Sequence, residues 1–241
     1  KRRHTMTPET REALKKVSTA TLCTALYKCG LRNQFIQNVR PLNPGLPNMV
    51  GEAFTLRYMP AREDRNQIDV FQNRDHPQRQ AVEQCPPGAV MVIDSRKDAR
   101  AASAGGILVA RLMQRGVAGI VTDGGFRDTP DIARYSMPAY HSRPSAPTNL
   151  TRHEAIEING PIGCGDAPVF PGDVVVGDAE GVVIIPAHLA DEIAAGATEM
   201  TVFEDFVQEK VMEARSILGL YPPTDEQSRS DFAAWRQTRG R

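Results

Sequence analysis

The sequence predicts an α/β domain built on a mixed sheet, and three observations carry that expectation. AVMVID (89–94), GGILVARLMQRG (105–116) and GIVTD (119–123) alternate strand, helix and strand, the crossover unit that joins parallel neighbours. PGDVVVGDAEGVVIIP (171–186) instead joins two β-branched runs by a tight turn, so part of the sheet is expected to be antiparallel. Helices between most strands, which a doubly wound dinucleotide fold requires, are not in the pattern. The length, 241 residues, suits one substantial core, so the whole chain 1–241 is read as a single domain.

The elements follow in order. Thr7-Pro8-Glu9 reads as a helix start, and Ser18 as the cap of a second helix ending at Gly30. Residues 31–50 carry prolines and little periodicity and read as a connecting arm, completing an N-terminal section 1–50. The core, 51–186, opens with VGEAFTLRYM (50–59) and also holds EAIEI (154–158), both short β-branched runs. Between these two strands, residues 61–80 are strongly polar and read as a surface excursion, a candidate lid. In GGILVARLMQRG the pairs Leu108/Leu112 and Val109/Met113 share a helical face, and Gly116 is a suitable terminator. Residues 187–220 read as a long amphipathic C-terminal helix that could reach a neighbouring molecule, and 221–241 as a poorly patterned polar tail.

Lys plus Arg and Asp plus Glu balance at 29 each, which gives no global electrostatic reason to expect nucleic-acid binding. No run approaches the roughly 20 apolar residues of a membrane span, and no apolar signal core follows the basic KRRH, so a cytoplasmic location is expected. Cys23, Cys29, Cys85 and Cys164 form no C-x-x-C pair and read as buried free thiols rather than a disulfide framework or zinc site.

Chemistry concentrates in TDGGFRDTPD (122–131). An isolated Arg-Asp pair is ordinarily a solvated turn, but Gly105-Gly106 opens the helix one crossover earlier. Two glycines there would let backbone approach a ligand, with helix-start N–H groups pointing outward toward an anion. One helix plus one strand separates Gly106 from Arg127, which returns the chain to the same end of the sheet. Arg127 could then meet a carboxylate with its planar fork, and Asp128 offers a hard oxygen ligand for magnesium or manganese. Such a set suits chemistry on a 2-keto acid, with the charge of an enolate neutralised as it forms.

These residues resemble the RraA-like proteins and the related class II, metal-dependent pyruvate aldolases that cleave 4-hydroxy-4-methyl-2-oxoglutarate. The resemblance runs from about Ser18 through GGILVARLMQRGVAGIVTDGGFRD and PGDVVVGDAEGVVIIP into the C-terminal helix. It is strongest in the spacing of Gly106, Arg127, Asp128 and Asp131. It implies a mixed β/β/α fold like a swivelling domain, with N-terminal helices and a long C-terminal helix, assembled as a homotrimer or homohexamer with sites between subunits. It also implies that Arg127 binds a pyruvyl group and that amides of Gly105, Gly106, Ile107 and Leu108 bind the substrate carboxylate. Asp128 would hold Mg2+ or Mn2+ through its water shell. A glutamate from a neighbour's C-terminal helix, matched to Glu204 with Glu209 second, would complete that shell. One departure matters: the aldolases carry an aspartate where this chain has Gly106, and Asp131 offers a replacement carboxylate. Oxaloacetate decarboxylation, which needs no base to deprotonate a substrate alcohol, would survive that loss better than aldol cleavage.

Other readings stay open beside the lyase. The resemblance also allows a regulator of an RNA-degrading endonuclease, which would make no demand on Arg127 or Asp128, or a dehydratase of a sugar-derived 2-keto-3-deoxy acid. A Schiff-base aldolase would need a buried lysine, and Lys97, just after a strand, is its candidate. His141 could line a pocket, while His76, His153 and His188 lack metal-ligand spacing, and Asp173 and Asp178 read as turn residues.

Overall fold

The structure, a computed structural model, describes residues 5–241; the basic residues 1–4 noted above lie outside them. Thr7 starts α1 (Pro8–Leu14) and Ser18 starts α2 (Thr19–Lys28), each hydroxyl accepting a first-turn N–H at 3.1 Å. These caps satisfy amides that a helix start otherwise leaves open. The arm then adds a two-residue strand, β1 (Arg40–Pro41), before the long central β2 (Met49–Pro60). The polar excursion holds a 3-10 turn at Ile68–Gln72 and α3 (Pro77–Gln84). The crossover region follows as β3 (Val90–Asp94), β4 (Ala102–Ala104), α4 (Gly106–Gln114) and β5 (Gly119–Thr122). Short pieces come next: β6 (Gly125–Phe126), α5 (Thr129–Ile132), β7 (Ala139–His141) and β8 (Arg143–Pro144). The last strands are β9 (His153–Ile158), β10 (Ile162–Cys164), β11 (Ala167–Val169), β12 (Val174–Gly177) and β13 (Val182–Ile185). Helices α6 (Ala190–Met212) and α7 (Glu226–Arg239) follow them.

The main sheet is mixed, as expected, in the order β1-β7-β5-β3-β2-β12-β13, with β9 also on β2. β2, β3, β5 and β7 are parallel, whereas β12 joins β2 and β13 antiparallel. The near-continuous apolar runs are explained by burial on both faces. Met91 and Ile93 of β3 enter the cluster under α3 and α4, while Val90 and Val92 enter the opposite one with Val121 and Val175. In β12, Val174 and Val176 instead face the layer of α1, α2 and α6, where Leu22, Leu26 and Ile193 cover them.

Two expectations are corrected. The polar tail is the helix α7, capped by Asp225, whose carboxylate accepts Ser228 N–H at 2.6 Å. It folds back on α6 through Phe232 and Trp235, which meet Phe206 at ring separations of 5.4 and 5.8 Å. The long C-terminal helix accordingly ends at Met212 rather than at residue 220. Among the described residues no helix is long and apolar enough to cross a membrane.

Phe206 is fully buried in that small cluster. Phe206→Ala should therefore lower the unfolding free energy by about 3–5 kcal/mol, read from urea denaturation. A change below about 1 kcal/mol would mean that α7 does not hold this packing in solution.

Candidate functional site

The glycine pair and the Arg-Asp pair are brought together by a sheet that the spacing alone did not reveal. β4, β6 and β8 form a separate three-stranded parallel sheet. Ala102 and Ala104 pair with Gly125 and Phe126, and Arg127 N–H donates to the Ala104 carbonyl at 3.1 Å. The start of α4 thus lies against residues 127 and 128. Below this sheet Ser95, Ser103 and Thr122 form a buried hydroxyl triangle with contacts of 2.6 to 3.1 Å. Gly124 leaves room for it, since a Cβ there would come 2.7 Å from Ser95 Cβ.

Gly105 and Gly106 make room chiefly for side chains of the chain itself. A Cβ on Gly105 would stand 2.9 Å from Arg127 Cγ and 3.0 Å from Asp128 Oδ2. A Cβ on Gly106 would stand 3.2 Å from Asp128 Cβ. Asp128 adopts φ +59°, a left-handed conformation that costs most residues energy but that aspartate tolerates. In that pose its Oδ2 accepts Gly106 N–H at 2.9 Å and lies 3.8 Å from Arg127 Nε. The amide expected to meet a ligand at Gly106 is therefore already used. Leu108 N–H is turned to the Gly105 carbonyl at 3.1 Å, so Ile107 N–H is the first-turn amide of α4 left without an acceptor among the described residues.

Arg127 and Asp128, each close to half exposed, line a cavity of about 460 Å³ with Gly105, Ile107 and Leu108. The polar excursion supplies another part of the lining through Ile68, Phe71 and Arg79. Arg79 stacks its guanidinium 4.4 Å from the Phe71 ring centroid, a cation–π contact. Asn149 completes the set: it is 6 % exposed, and its amide Nδ2 has no hydrogen-bond partner. Arg79 and Phe71 were legible only as members of a polar segment, and nothing in the sequence singled out Asn149.

Other expected residues lie elsewhere in the chain. Asp131 pairs with Arg134, one helical turn on, outside the cavity lining. Glu204 accepts from Thr21 Oγ1 at 2.7 Å between α6 and α2, and Glu209 accepts from Trp235 Nε1 and Arg239. Among the described residues no group of three or more His, Cys, Asp or Glu side chains could hold a metal. Asp128 is the carboxylate that this chain itself brings to the cavity. A single carboxylate still suits magnesium, which keeps several waters and binds through one or two carboxylates plus substrate oxygens.

Lys97 is half exposed and paired with Asp166 at 2.7 Å, which raises its pKa, the opposite of what a Schiff-base nucleophile needs. Asp173 and Asp178 serve backbone amides, Asp173 those of Phe170 and Ala187 and Asp178 those of Thr19 and Glu180. The four cysteines are free, but only Cys85 and Cys164 are buried as expected; Cys23 is half-buried and Cys29, at the end of α2, is exposed. His153 is buried on Tyr58, with ring centroids 5.2 Å apart.

His141 lies behind the site rather than in the cavity. Its Nδ1 accepts Phe126 N–H at 3.3 Å, and its ring stacks on Phe126, so it holds the residue preceding Arg127. Burial, with Arg40 nearby, pushes its pKa down to about 4. Asp123 anchors the same region, accepting N–H groups of Ser95, Lys97 and Gly165. Burial pushes its carboxyl up to about 6.

The profile of the RraA-like family, described as Aldolase/RraA, matches residues 19–184, and the chain belongs to that family. A protein of Halalkalibacterium halodurans, carried provisionally under the name 4-hydroxy-4-methyl-2-oxoglutarate aldolase, is 28% identical over 202 residues, covering 82% of this chain and 89% of that one. A Burkholderia mallei protein of the same provisional name is 30% identical over 140 residues, 58% of this chain and 76% of its own. Among solved structures, Streptomyces coelicolor RraAS2, described as an unusual member of the RNase ES inhibitor RraA family, superposes with a TM-score of 0.74 at 28% identity. That match covers 85% of this chain and 98% of RraAS2. An uncharacterized protein of Pseudomonas syringae pv. tomato shares the fold at a TM-score of 0.79 and 21% identity, covering 96% of this chain and 97% of its own.

The two buried groups behind the site titrate in opposite senses. His141 has a folded pKa below its unfolded value of 6.5, so its stabilisation is complete above that value and is lost as pH falls toward 4. Asp123 is raised, so its contribution is complete below the unfolded value of 3.8 and is lost as pH rises through about 6. His141→Asn keeps an acceptor for Phe126 N–H and removes only the first effect. Between pH 6.5 and 4 the parent should lose about 3 kcal/mol relative to the variant, read from Tm and denaturation across that range. Parallel profiles would show that His141 is not held neutral.

Proposed function

We propose that the cavity is the site of a divalent-metal-dependent lyase acting on 2-keto acids through the enolate of pyruvate, as an aldolase, an oxaloacetate decarboxylase or both. The observation that carries this reading is the locked pair itself: Arg127 beside an Asp128 carboxylate fixed by Gly106 N–H, both in one cavity. The aldolase name carried by relatives in the same family supports it.

Arg127 would take the substrate carboxylate in a bidentate pair, with Ile107 N–H as the open backbone donor nearby. In oxaloacetate the bond between C3 and the departing carboxylate breaks, carbon dioxide leaves, and the electron pair moves onto the keto oxygen as an enolate. A proton returned to C3 then gives pyruvate. Arg127 contributes by lowering the energy of the negative charge as it shifts, and by fixing the orientation of the bond that breaks. Asp128 would hold magnesium or manganese, which supplies Lewis-acid polarisation of the keto oxygen. Asp131 and Glu204 would belong to the metal shell only as outer groups, Glu204 through α6 of a second copy of the chain. Ile68 and Ile107, 71% and 84% exposed beside the cavity, support a homo-oligomer, trimer or hexamer, with its site at the subunit boundary. The four free thiols accord with a cytoplasmic location.

The test is pyruvate release from oxaloacetate with magnesium or manganese and with EDTA. The expected result is metal-dependent turnover above the metal-only blank, reduced by about 10²–10³ in Arg127→Ala and in Asp128→Ala. Release no faster than the blank, or unchanged in both variants, would reject the decarboxylase, and the same result for pyruvate release from 4-hydroxy-4-methyl-2-oxoglutarate would reject the lyase. The regulatory reading, favoured by the likeness to RraAS2, would then be examined by association with an RNA-degrading endonuclease.

Gly105→Ala should push the Arg127 stem aside, because the new Cβ would stand 2.9 Å from Arg127 Cγ. A fall of about tenfold or more in kcat/KM at nearly unchanged Tm is expected. Parent-like kinetics would mean that the position of the Arg127 stem does not matter.

A further inference from the structure

The polar excursion is joined to the site through one buried amide. Gln78, the second residue of α3, lines the cavity yet is 2 % exposed. Its Nε2 donates to the Ser103 carbonyl at 2.9 Å and to the Tyr58 hydroxyl at 3.0 Å, and the buried Tyr58 donates its own O–H to the same carbonyl at 2.7 Å. β4 is an edge strand of the small sheet, so peptide groups on its outer side have no strand partner, and the Ser103 carbonyl takes its donors from these two side chains. With two donors apiece accepted and given, neither the glutamine amide nor the carbonyl has freedom to turn.

The contact reaches both halves of the site. The Ser103 hydroxyl lies 2.6 Å from those of Ser95 and Thr122, and Thr122 Oγ1 accepts Gly124 N–H at 3.0 Å, just ahead of β6. Along the chain Ser103 stands just ahead of Gly105 and Gly106, and Gly106 N–H holds Asp128. A displacement of β4 is therefore a displacement of the start of α4 against the Asp128 carboxylate. The backbone before Arg127 has a separate anchor, since His141 accepts Phe126 N–H.

We infer that Gln78 is a positioning residue: through the Ser103 carbonyl it holds α3 and β4 at a fixed separation, and so sets the start of α4 against the Asp128 carboxylate. Its meaning for the reaction rests on the keto acid reading of the cavity, whereas the positional coupling rests on the hydrogen bonds alone. The same contact seats the excursion, because Arg79, the next residue, lines the cavity from the same turn of α3.

Gln78→Met keeps the length of the side chain and removes both donors, while Tyr58→Phe removes one hydroxyl and leaves Gln78 its bond to Ser103. Each full-chain variant is followed by residue-resolved amide hydrogen exchange and by pyruvate release from oxaloacetate with magnesium. In Gln78→Met, exchange at Gly106 N–H should be about tenfold faster with β12 and β13 as in the parent, and kcat should fall about tenfold with KM changed less. Tyr58→Phe should move both in the same direction by a smaller factor. Gly106 exchange unchanged in both variants would overturn the inference, and so would exchange raised equally at Gly106, β12 and β13, the mark of a merely structural role. If Gln78→Met does not fold, Tyr58→Phe decides by the same criteria. Faster Gly106 exchange with parent-like kcat would also overturn it. A parent that releases pyruvate from neither oxaloacetate nor 4-hydroxy-4-methyl-2-oxoglutarate would reject the keto acid reading and the positioning role with it, a result separate from that of the exchange.

Discussion

The bond from Gly106 N–H to the Asp128 carboxylate is the contact on which the site depends. It ties the start of α4 to the end of β6 across 22 residues of chain, and it works only because neither position 105 nor position 106 carries a side chain. It also fixes a carboxylate whose backbone sits in the left-handed region, a conformation that needs support from its surroundings. The parallel pairing of β4 with β6 brings the two ends close enough, and the buried hydroxyls of Ser95, Ser103 and Thr122 hold that small sheet to the main one. Arg127 inherits its place from this arrangement, its stem packed over Gly105.

A fixed carboxylate beside an arginine is worth little in open solvent, where an exposed ion pair contributes about 0–1 kcal/mol. Its value here is positional. Asp128 uses one oxygen on a backbone amide and stays beside the cavity, while Arg127, 3.8 Å away, is not drawn into a tight pair and keeps its fork available. Behind them, a neutral His141 accepts the Phe126 amide and Asp123 gathers three others, so the backbone leading into Arg127 is held by buried acceptors.

The main sheet was legible because both faces are buried and the β-branched runs are therefore nearly unbroken: Val174 and Val176 serve one cluster and Val175 the other. The helix caps at Thr7 and Ser18 were legible because their chemistry is local. The strands β4, β6 and β8 were not, since two or three residues show no period, and their pairing depends on long-range closure. α7 was missed for another reason: its buried surface is little more than Phe232 and Trp235 amid polar residues, too few to register as an amphipathic face. At the site, Arg127 and Asp128 stood out as a pair after a strand, whereas Asp131 and Glu204 were assigned by resemblance, and within one chain they pair with Arg134 and Thr21 instead. Arg79 reaches the cavity only because the excursion folds over it, which polarity alone does not express.

A crystal structure of the protein grown with pyruvate and manganese, with the metal located by its anomalous signal, tests the role of Arg127 and Asp128 without relying on turnover. The pyruvate carboxylate is expected within hydrogen-bond distance of Arg127 and the manganese peak beside Asp128, in the cavity bounded by the start of α4. Manganese and pyruvate absent from that cavity at saturating concentrations, or bound elsewhere, would contradict that role.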